Sequence, residues 1–259
     1  MSVRTPDVVV ARDVGMSYPT ASGRFMALDR VSLTVSDGKF VSIVGPSGCG
    51  KSTLLQIIGG LATATSGEIL IDGVRIAAPH PDKIGIVFQE PLLLPWKSAL
   101  ENVEFPLALR GEPKKARTAR ARDLLAMVGL TDFADSLPHQ LSGGMRQRVA
   151  IARGLVRKPR LLLMDEPFAA LDEQTRTRMW GELLQIRAAS RATIVFVTHS
   201  LVEAVYLADE ILVMAARPGR IIERIAVNLP QPRTIDMLGA PALGALRNRI
   251  WNLIAEPQS

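Results

Sequence analysis

The chain has 259 residues, 47% of them apolar and 22% charged, the composition of a globular protein with a substantial core. A formal net charge of +6 admits nucleic acid or an anionic membrane face as partner, but only 5% of residues are aromatic, too few for the stacking platforms of single-strand binders. No run nears about 18 consecutive apolar residues, the opening "MSVRTPDVVVARDV" lacks a basic-then-apolar leader, and the single cysteine, Cys49, leaves no internal disulfide, so a cytoplasmic setting is expected.

In chain order, short β-rich runs alternate with helical patterns. Residues 40–44, "FVSIV", read as a buried strand, and "KSTLLQIIGG" after it as a helix stopped by Gly59 and Gly60. Strands are expected at 67–73 and 83–89. Residues 97–157 read instead as a helical insertion between two strands. Within it the basic run 110–123 reads as a solvated helix start, and Met145, Val149, Ala152 and Val156 fall on one helix face. Residues 160–165 and 192–198 are continuous apolar runs, as strands covered on both faces require. Ser200 and Glu203 form a capping-box pattern that starts a helix. Residues 210–227 read as two strands joined at Pro218-Gly219, and 240–255 as an amphipathic helix with Leu243, Leu246, Ile250 and Leu253 on one side.

Three segments carry chemistry. "GPSGCGKST", running Gly45, Pro46, Ser47, Gly48, Cys49, Gly50, Lys51, Ser52 and Thr53, matches G-x-x-x-x-G-K-[ST] between a strand and a helix. Glycines let backbone N–H groups curl around phosphates, and the helix N-terminus adds positive partial charge. Lys51 would reach the β- and γ-phosphates and the Ser52 hydroxyl would ligate Mg²⁺, with Thr53 toward the α-phosphate. Cys49 reads as tolerated in a loop where backbone matters more than side chain. In "LLLMDEP", Asp165 ends a hydrophobic strand, the place for a carboxylate holding the Mg²⁺ shell, and Glu166 follows as a group able to polarise water. His199 closes the next strand, where ligands sit in such sheets, whereas His80 and His139 read as structural. "LSGGMRQR", 141–148, opens a helix with two glycines, each weaker than alanine there by about 1 kcal/mol. The bare backbone, about ninety residues past the phosphate loop, calls for an explanation.

Together these motifs resemble the nucleotide-binding subunit of an ABC transporter over about residues 8–235, with 236–259 as a C-terminal helical tail. They stand in the family's order: the phosphate loop, Gln89 in "VFQEP", "LSGGMRQR", "LLLMDEP", "ALD" at 170–172, then His199. The resemblance implies an α/β fold: a P-loop NTPase core, a RecA-like sheet with an N-terminal antiparallel β part, and a helical subdomain at about 97–157 carrying the signature. It implies ATP and Mg²⁺, with Tyr18 stacking on adenine, Gln89 joining Ser52 and Asp165 at the metal, Glu166 as general base and His199 at the γ-phosphate. It also implies that Ser142, Gly143 and Gly144 of one subunit cover the ATP of a second, the two being copies in a homodimer, with Asp172 crossing the interface. That would answer the glycines, since a side chain there would block close approach.

The same resemblance implies transmembrane permease subunits as partners, an external solute-binding protein acting indirectly, no nucleic acid, and a peripheral place on the cytoplasmic face of the membrane. "QEPLLLPWKSALENVEFPL", 89–107, resembles the permease-docking stretch of importers. "RPGRI", 217–221, and "LPQPR", 229–233, resemble the nitrate, sulfonate and taurine group, so the cargo is expected to be a small anion. With the sequence reaching residue 259, the added regulatory domain of sugar-type importers is not expected. An exporter subunit is the competing reading, and a soluble ABC ATPase acting on nucleic acid or ribosomes a more distant one. The single phosphate loop and the lack of a heptad run count against the latter.

Overall fold

A computed structural model describes residues 6–21 and 23–255; residues 1–5 of the opening and 256–259 of the expected tail lie outside the described residues. The chain divides into two compact units, Met1–His80 with Thr193–Ser259, and Pro81–Ala192.

The first unit opens with β1 (Asp7–Thr20) and β2 (Gly23–Ser36), then β3 (Phe40–Val44), α1 (Lys51–Ile58), β4 (Ser66–Ile71) and β5 (Val74–Arg75). Strands β2, β1, β4 and β5 form an antiparallel sheet in that order. The strand expected at 67–73 stops earlier, at Ile71. Asp72 and Gly73 both take left-handed backbone, at φ 49° and 73°, and Ile71 pairs directly with Val74. An Asp-Gly pair with positive φ at both positions is the two-residue hairpin turn whose twist matches its strands.

The second unit holds β6 (Ile84–Val87), α2 (Ala99–Ala108), α3 (Lys114–Met127), α4 (Gly143–Leu155), β7 (Leu161–Asp165) and α5 (Glu173–Ser190). β6 and β7 pair in parallel, Ile84 opposite Leu161 and Val87 opposite Met164, with α2, α3 and α4 between them in the chain. Ser98 and Glu101 form a reciprocal capping box at the start of α2. The basic run is not all solvated: Arg117 Nε lies 3.7 Å from Glu104, and the Thr118 hydroxyl donates to the same carboxylate at 2.7 Å. Val149, Ala152 and Val156 are buried as their spacing predicts, and Met145 is half-buried. Gln147, Ala150, Ile151 and Leu155 are buried too, so α4 is enclosed around much more than one stripe.

The chain then returns to the first unit with β8 (Thr193–Val197), α6 (Leu201–Leu207), β9 (Glu210–Ala215), β10 (Arg220–Ala226) and α7 (Pro241–Ala255). β3 runs parallel to both β8 and β9, and β10 closes antiparallel on β9. Every residue of β3 and β8 is buried, which is why both read as unbroken apolar runs. Phe40 and Phe196 meet across them with ring centroids 5.6 Å apart. On α7, Leu243 and Ile250 are buried and Leu246 and Leu253 half-buried, the face the sequence predicts.

Candidate functional site

The phosphate loop joins β3 to α1 in the first unit. Gly50 caps α1 with φ 94°, a conformation that favours glycine, and having no side chain it offers the first turn no side-chain cap. A Cβ on Gly45 would lie 2.5 Å from the Met214 carbonyl oxygen and 2.9 Å from Cys49 Sγ, so the close approach there demands glycine. Lys51 is only 6% exposed, and its ammonium donates to the carbonyls of Gly45 at 2.9 Å and Pro46 at 3.1 Å. A buried ammonium held by the loop's own carbonyls is a positive charge fixed inside a ring of backbone. Ser52 is exposed and Thr53 half-buried on the first turn. Burial pushes the Cys49 thiol above its ordinary range, against the pull of Lys51, so it is a poor nucleophile at neutral pH.

His199 belongs to the same unit. β8 is parallel to β3, with Val197 opposite Ile43, so His199 and the phosphate loop leave the sheet at the same carboxyl end. Its side chain is exposed between two residues of the β8–α6 connection. Tyr18 stands near the tip of β1, 38% exposed, paired across the hairpin with Phe25, itself 47% exposed. It is neither a core nor a turn residue.

In the second unit the β6–β7 pairing sets Gln89 and the pair Asp165 and Glu166 at one carboxyl end. Gln89 is exposed and both acids are half-buried. Glu166 has φ 43°, an uncommon backbone for a residue with a side chain, costing on the order of 1–3 kcal/mol and found preferentially at functional sites. Ser142 caps α4, its hydroxyl accepting the Met145 N–H at 3.3 Å. Asp172 caps α5 by accepting the Thr175 N–H at 2.9 Å, which holds its carboxyl below the usual range. The two caps are neighbours. A Cβ on Gly144 would come within 2.8 Å of Thr175 Cγ2, whereas one on Gly143 would meet nothing closer than Leu171 Cδ2 at 3.6 Å.

Some residues of these assemblies escape a reading of the sequence. Gly219 of "RPGRI" donates its N–H to Ala27, and a Cβ there would strike the Cys49 carbonyl, so this turn backs the phosphate loop. Its only sequence signal is the Pro-Gly pair. Gln147 on α4 donates to the Phe88 carbonyl at 3.4 Å, and Arg153 donates to Pro91 and Leu92, both at 2.7 Å. The signature helix therefore grips the segment that carries Gln89. Bonds from side chains to distant carbonyls have no sequence pattern. Just beyond, Leu92 is 56% and Trp96 72% exposed, while buried Asn102 donates to the carbonyls of Leu94, Lys97 and Ser98 and fixes the segment's shape.

A glycine phosphate loop between a buried strand and a helix, in a mainly parallel sheet, defines a P-loop nucleoside triphosphatase. The ABC transporter family model matches residues 28–169. The chain is 43% identical over 249 residues to a bicarbonate transport ATP-binding protein of Synechocystis, covering 95% of this chain and 88% of that one. It is 45% identical over 218 residues to a taurine import ATP-binding protein of Burkholderia pseudomallei, covering 84% of each. A solved dimeric ATP-binding cassette, in a post-hydrolysis state with ADP and phosphate bound, superposes with a TM-score of 0.76 at 37% identity, over 86% of this chain and all of that one. The chain belongs to the ABC transporter family, as an ATP-binding subunit that couples ATP hydrolysis to transport.

Proposed function

We propose that two copies of this chain, bound head to tail, hydrolyse ATP to drive import of a small anion through a separate membrane permease. The observation that carries the pairing is Gly143. Its own chain leaves room for a methyl group, yet glycine stands at a helix start where the N–H groups beyond the Ser142 cap and the helix dipole suit a phosphate. In this reading Ser142, Gly143 and Gly144 cover the γ-phosphate held by the partner's phosphate loop, and Asp172 lies along the shared boundary.

The residues present fit the nucleotide and its metal. The loop 45–50 keeps its shape because Cβ atoms on Gly45 and Gly50 would strike the Met214 carbonyl and the Leu28 side chain behind it, and the Lys51 ammonium is held against its carbonyls. Ser52, Gln89 and Asp165 are hard oxygen donors. Hard oxygen donors suit Mg²⁺, an ion that keeps waters and phosphate oxygens in its shell. When bound it neutralises the phosphate oxygens. Tyr18 stacks on the adenine. Glu166 orients a water and accepts its proton as the water oxygen attacks the γ-phosphorus in line. The bond to the β–γ bridging oxygen breaks, and ADP and inorganic phosphate leave. Lys51 and His199 hold the transferring group, so the catalysis is positioning and charge stabilisation.

Among the described residues no helix is long and apolar enough to cross a membrane. In this reading the chain meets its permease from the cytoplasmic face. Exposed Leu92 and Trp96 supply the apolar contact. An anion as cargo rests on the likeness to subunits for taurine and bicarbonate. The deciding experiment is the solution mass of Glu166→Gln with and without ATP and Mg²⁺. A nucleotide-dependent dimer that Ser142→Arg abolishes is expected. A monomer that binds ATP yet never pairs overturns the homodimer. Uptake of labelled anions by a strain lacking the chain then reads the cargo, and unchanged taurine, sulfonate, nitrate and bicarbonate uptake overturns that part.

A further inference from the structure

We infer that Thr198 and Glu203 are positioning residues that fix His199 for turnover; this rests on the reading that His199 contacts the γ-phosphate. The imidazole itself is exposed, but the backbone on either side of it is held. Thr198 is 1% exposed, and its N–H donates to the Ile43 carbonyl at 3.3 Å, on the strand that feeds the phosphate loop. The Thr198 hydroxyl accepts the Ser200 N–H at 2.9 Å and donates to the Glu203 carboxylate. Residues 198 and 200 are thus tied through one oxygen, with His199 spanning the tie.

Helix capping alone does not require this. In an ordinary capping box the N3 glutamate reaches back to the N-cap N–H from the solvent side. Here the Ser200 hydroxyl caps the Glu203 N–H at 3.3 Å, but the Ser200 N–H goes to Thr198, and Glu203 turns inward to 4% exposure. Taking a carboxylate out of water is costly unless it is hydrogen-bonded, and an exposed glutamate would start the helix as well. The inward carboxylate instead orients the hydroxyl that holds the connection. The far end of α6 is anchored as well: Arg233, 8% exposed, donates to the carbonyls of Val205, Tyr206 and Ala208 at 2.8, 2.6 and 2.8 Å. A seven-residue helix held at both ends has little freedom to let His199 drift.

The test is ATPase kinetics on the full chain for Thr198→Val, which keeps the shape and removes the hydroxyl, and Thr198→Ser, which keeps the hydroxyl. A displaced catalytic contact lowers kcat by about tenfold or more while KM for ATP stays within about twofold, and the serine variant recovers most of the loss. The His199 ring signals, assigned among the three histidines with His199→Asn, shift in Thr198→Val and return in Thr198→Ser. Equal kcat per folded molecule in the valine variant, with only a lower melting temperature, overturns the inference. His199→Ala is measured alongside. If it turns over normally, the reading of His199 fails; if it is inactive while Thr198→Val is normal, only the positioning role fails. Should Thr198→Val not fold, Glu203→Gln takes its place, with a smaller kcat loss at unchanged KM expected and none overturning the inference.

Discussion

The phosphate loop and the signature both bare their glycines at the start of a helix, yet the two explain themselves differently. Around the loop, everything that demands glycine lies in the same chain: the Met214 carbonyl against Gly45, and the left-handed turn at Gly50. At the signature, Thr175 crowds Gly144, but Gly143 faces ordinary contact distances. One site is complete where it stands. The other has a residue whose cost is visible and whose benefit, in the proposed dimer, lies outside the chain. A glycine that its own fold does not need is a pointer to a partner.

Four experiments break or sharpen this contrast. The largest effect is expected from Glu166→Gln, which removes the proposed base and lowers hydrolysis by at least about a hundredfold while ATP binding persists; turnover near normal would remove Glu166 from that role. Lys51→Ala comes next. It deletes a charge-assisted contact worth roughly 1.5–3 kcal/mol, so ATP affinity measured by calorimetry falls by about tenfold or more.

The third experiment sets two alanines against each other. Gly45→Ala forces a methyl group onto the Met214 carbonyl and destabilises the isolated chain by about 1–3 kcal/mol. Gly143→Ala leaves thermal stability unchanged or raises it by up to about 1 kcal/mol through better helix propensity, while ATP-driven dimers are lost. Matching melting shifts in both variants would dissolve the distinction. The smallest effect is at Cys49. Its thiol titrates above the ordinary range because it is buried, so alkylation of the folded chain at neutral pH is slower than of the unfolded chain. The unfolded thiol ionises first as pH rises, so stability declines above the usual thiol range, and Cys49→Ala lacks that component.

What was legible in the sequence was what depends on local order. β3, β7 and β8 stood out because strands covered on both faces leave unbroken apolar runs. The loop, the strand-end carboxylates and the signature were legible because fixed spacing carries their chemistry. Gly73 marked the end of its strand in the sequence, but the two-residue hairpin it makes with Asp72 was not read from it. The enclosure of α4 exceeded its predicted stripe because contacts arrive from several neighbours that periodicity cannot anticipate. The grip of Gln147 and Arg153 on residues 88–92 was invisible for a related reason: a carbonyl acceptor is available at every position and marks none. The basic run misled in the opposite direction, because charge suggests water, whereas Arg117 and Glu104 partner each other.

The wall behind the phosphate loop has a consequence for how this protein can vary. Met214 and Ala27 meet Gly45, Gly50 and Gly219 through carbonyl oxygens, which every amino acid possesses. As far as the loop is concerned, those wall positions can exchange one residue for another and still present the same surface. The Leu28 side chain, pressed against Gly50 and Gly219, is the exception. Elsewhere the wall is written in main chain and guarded by residues that lack a side chain, so drift along it has wide latitude in identity and almost none in backbone.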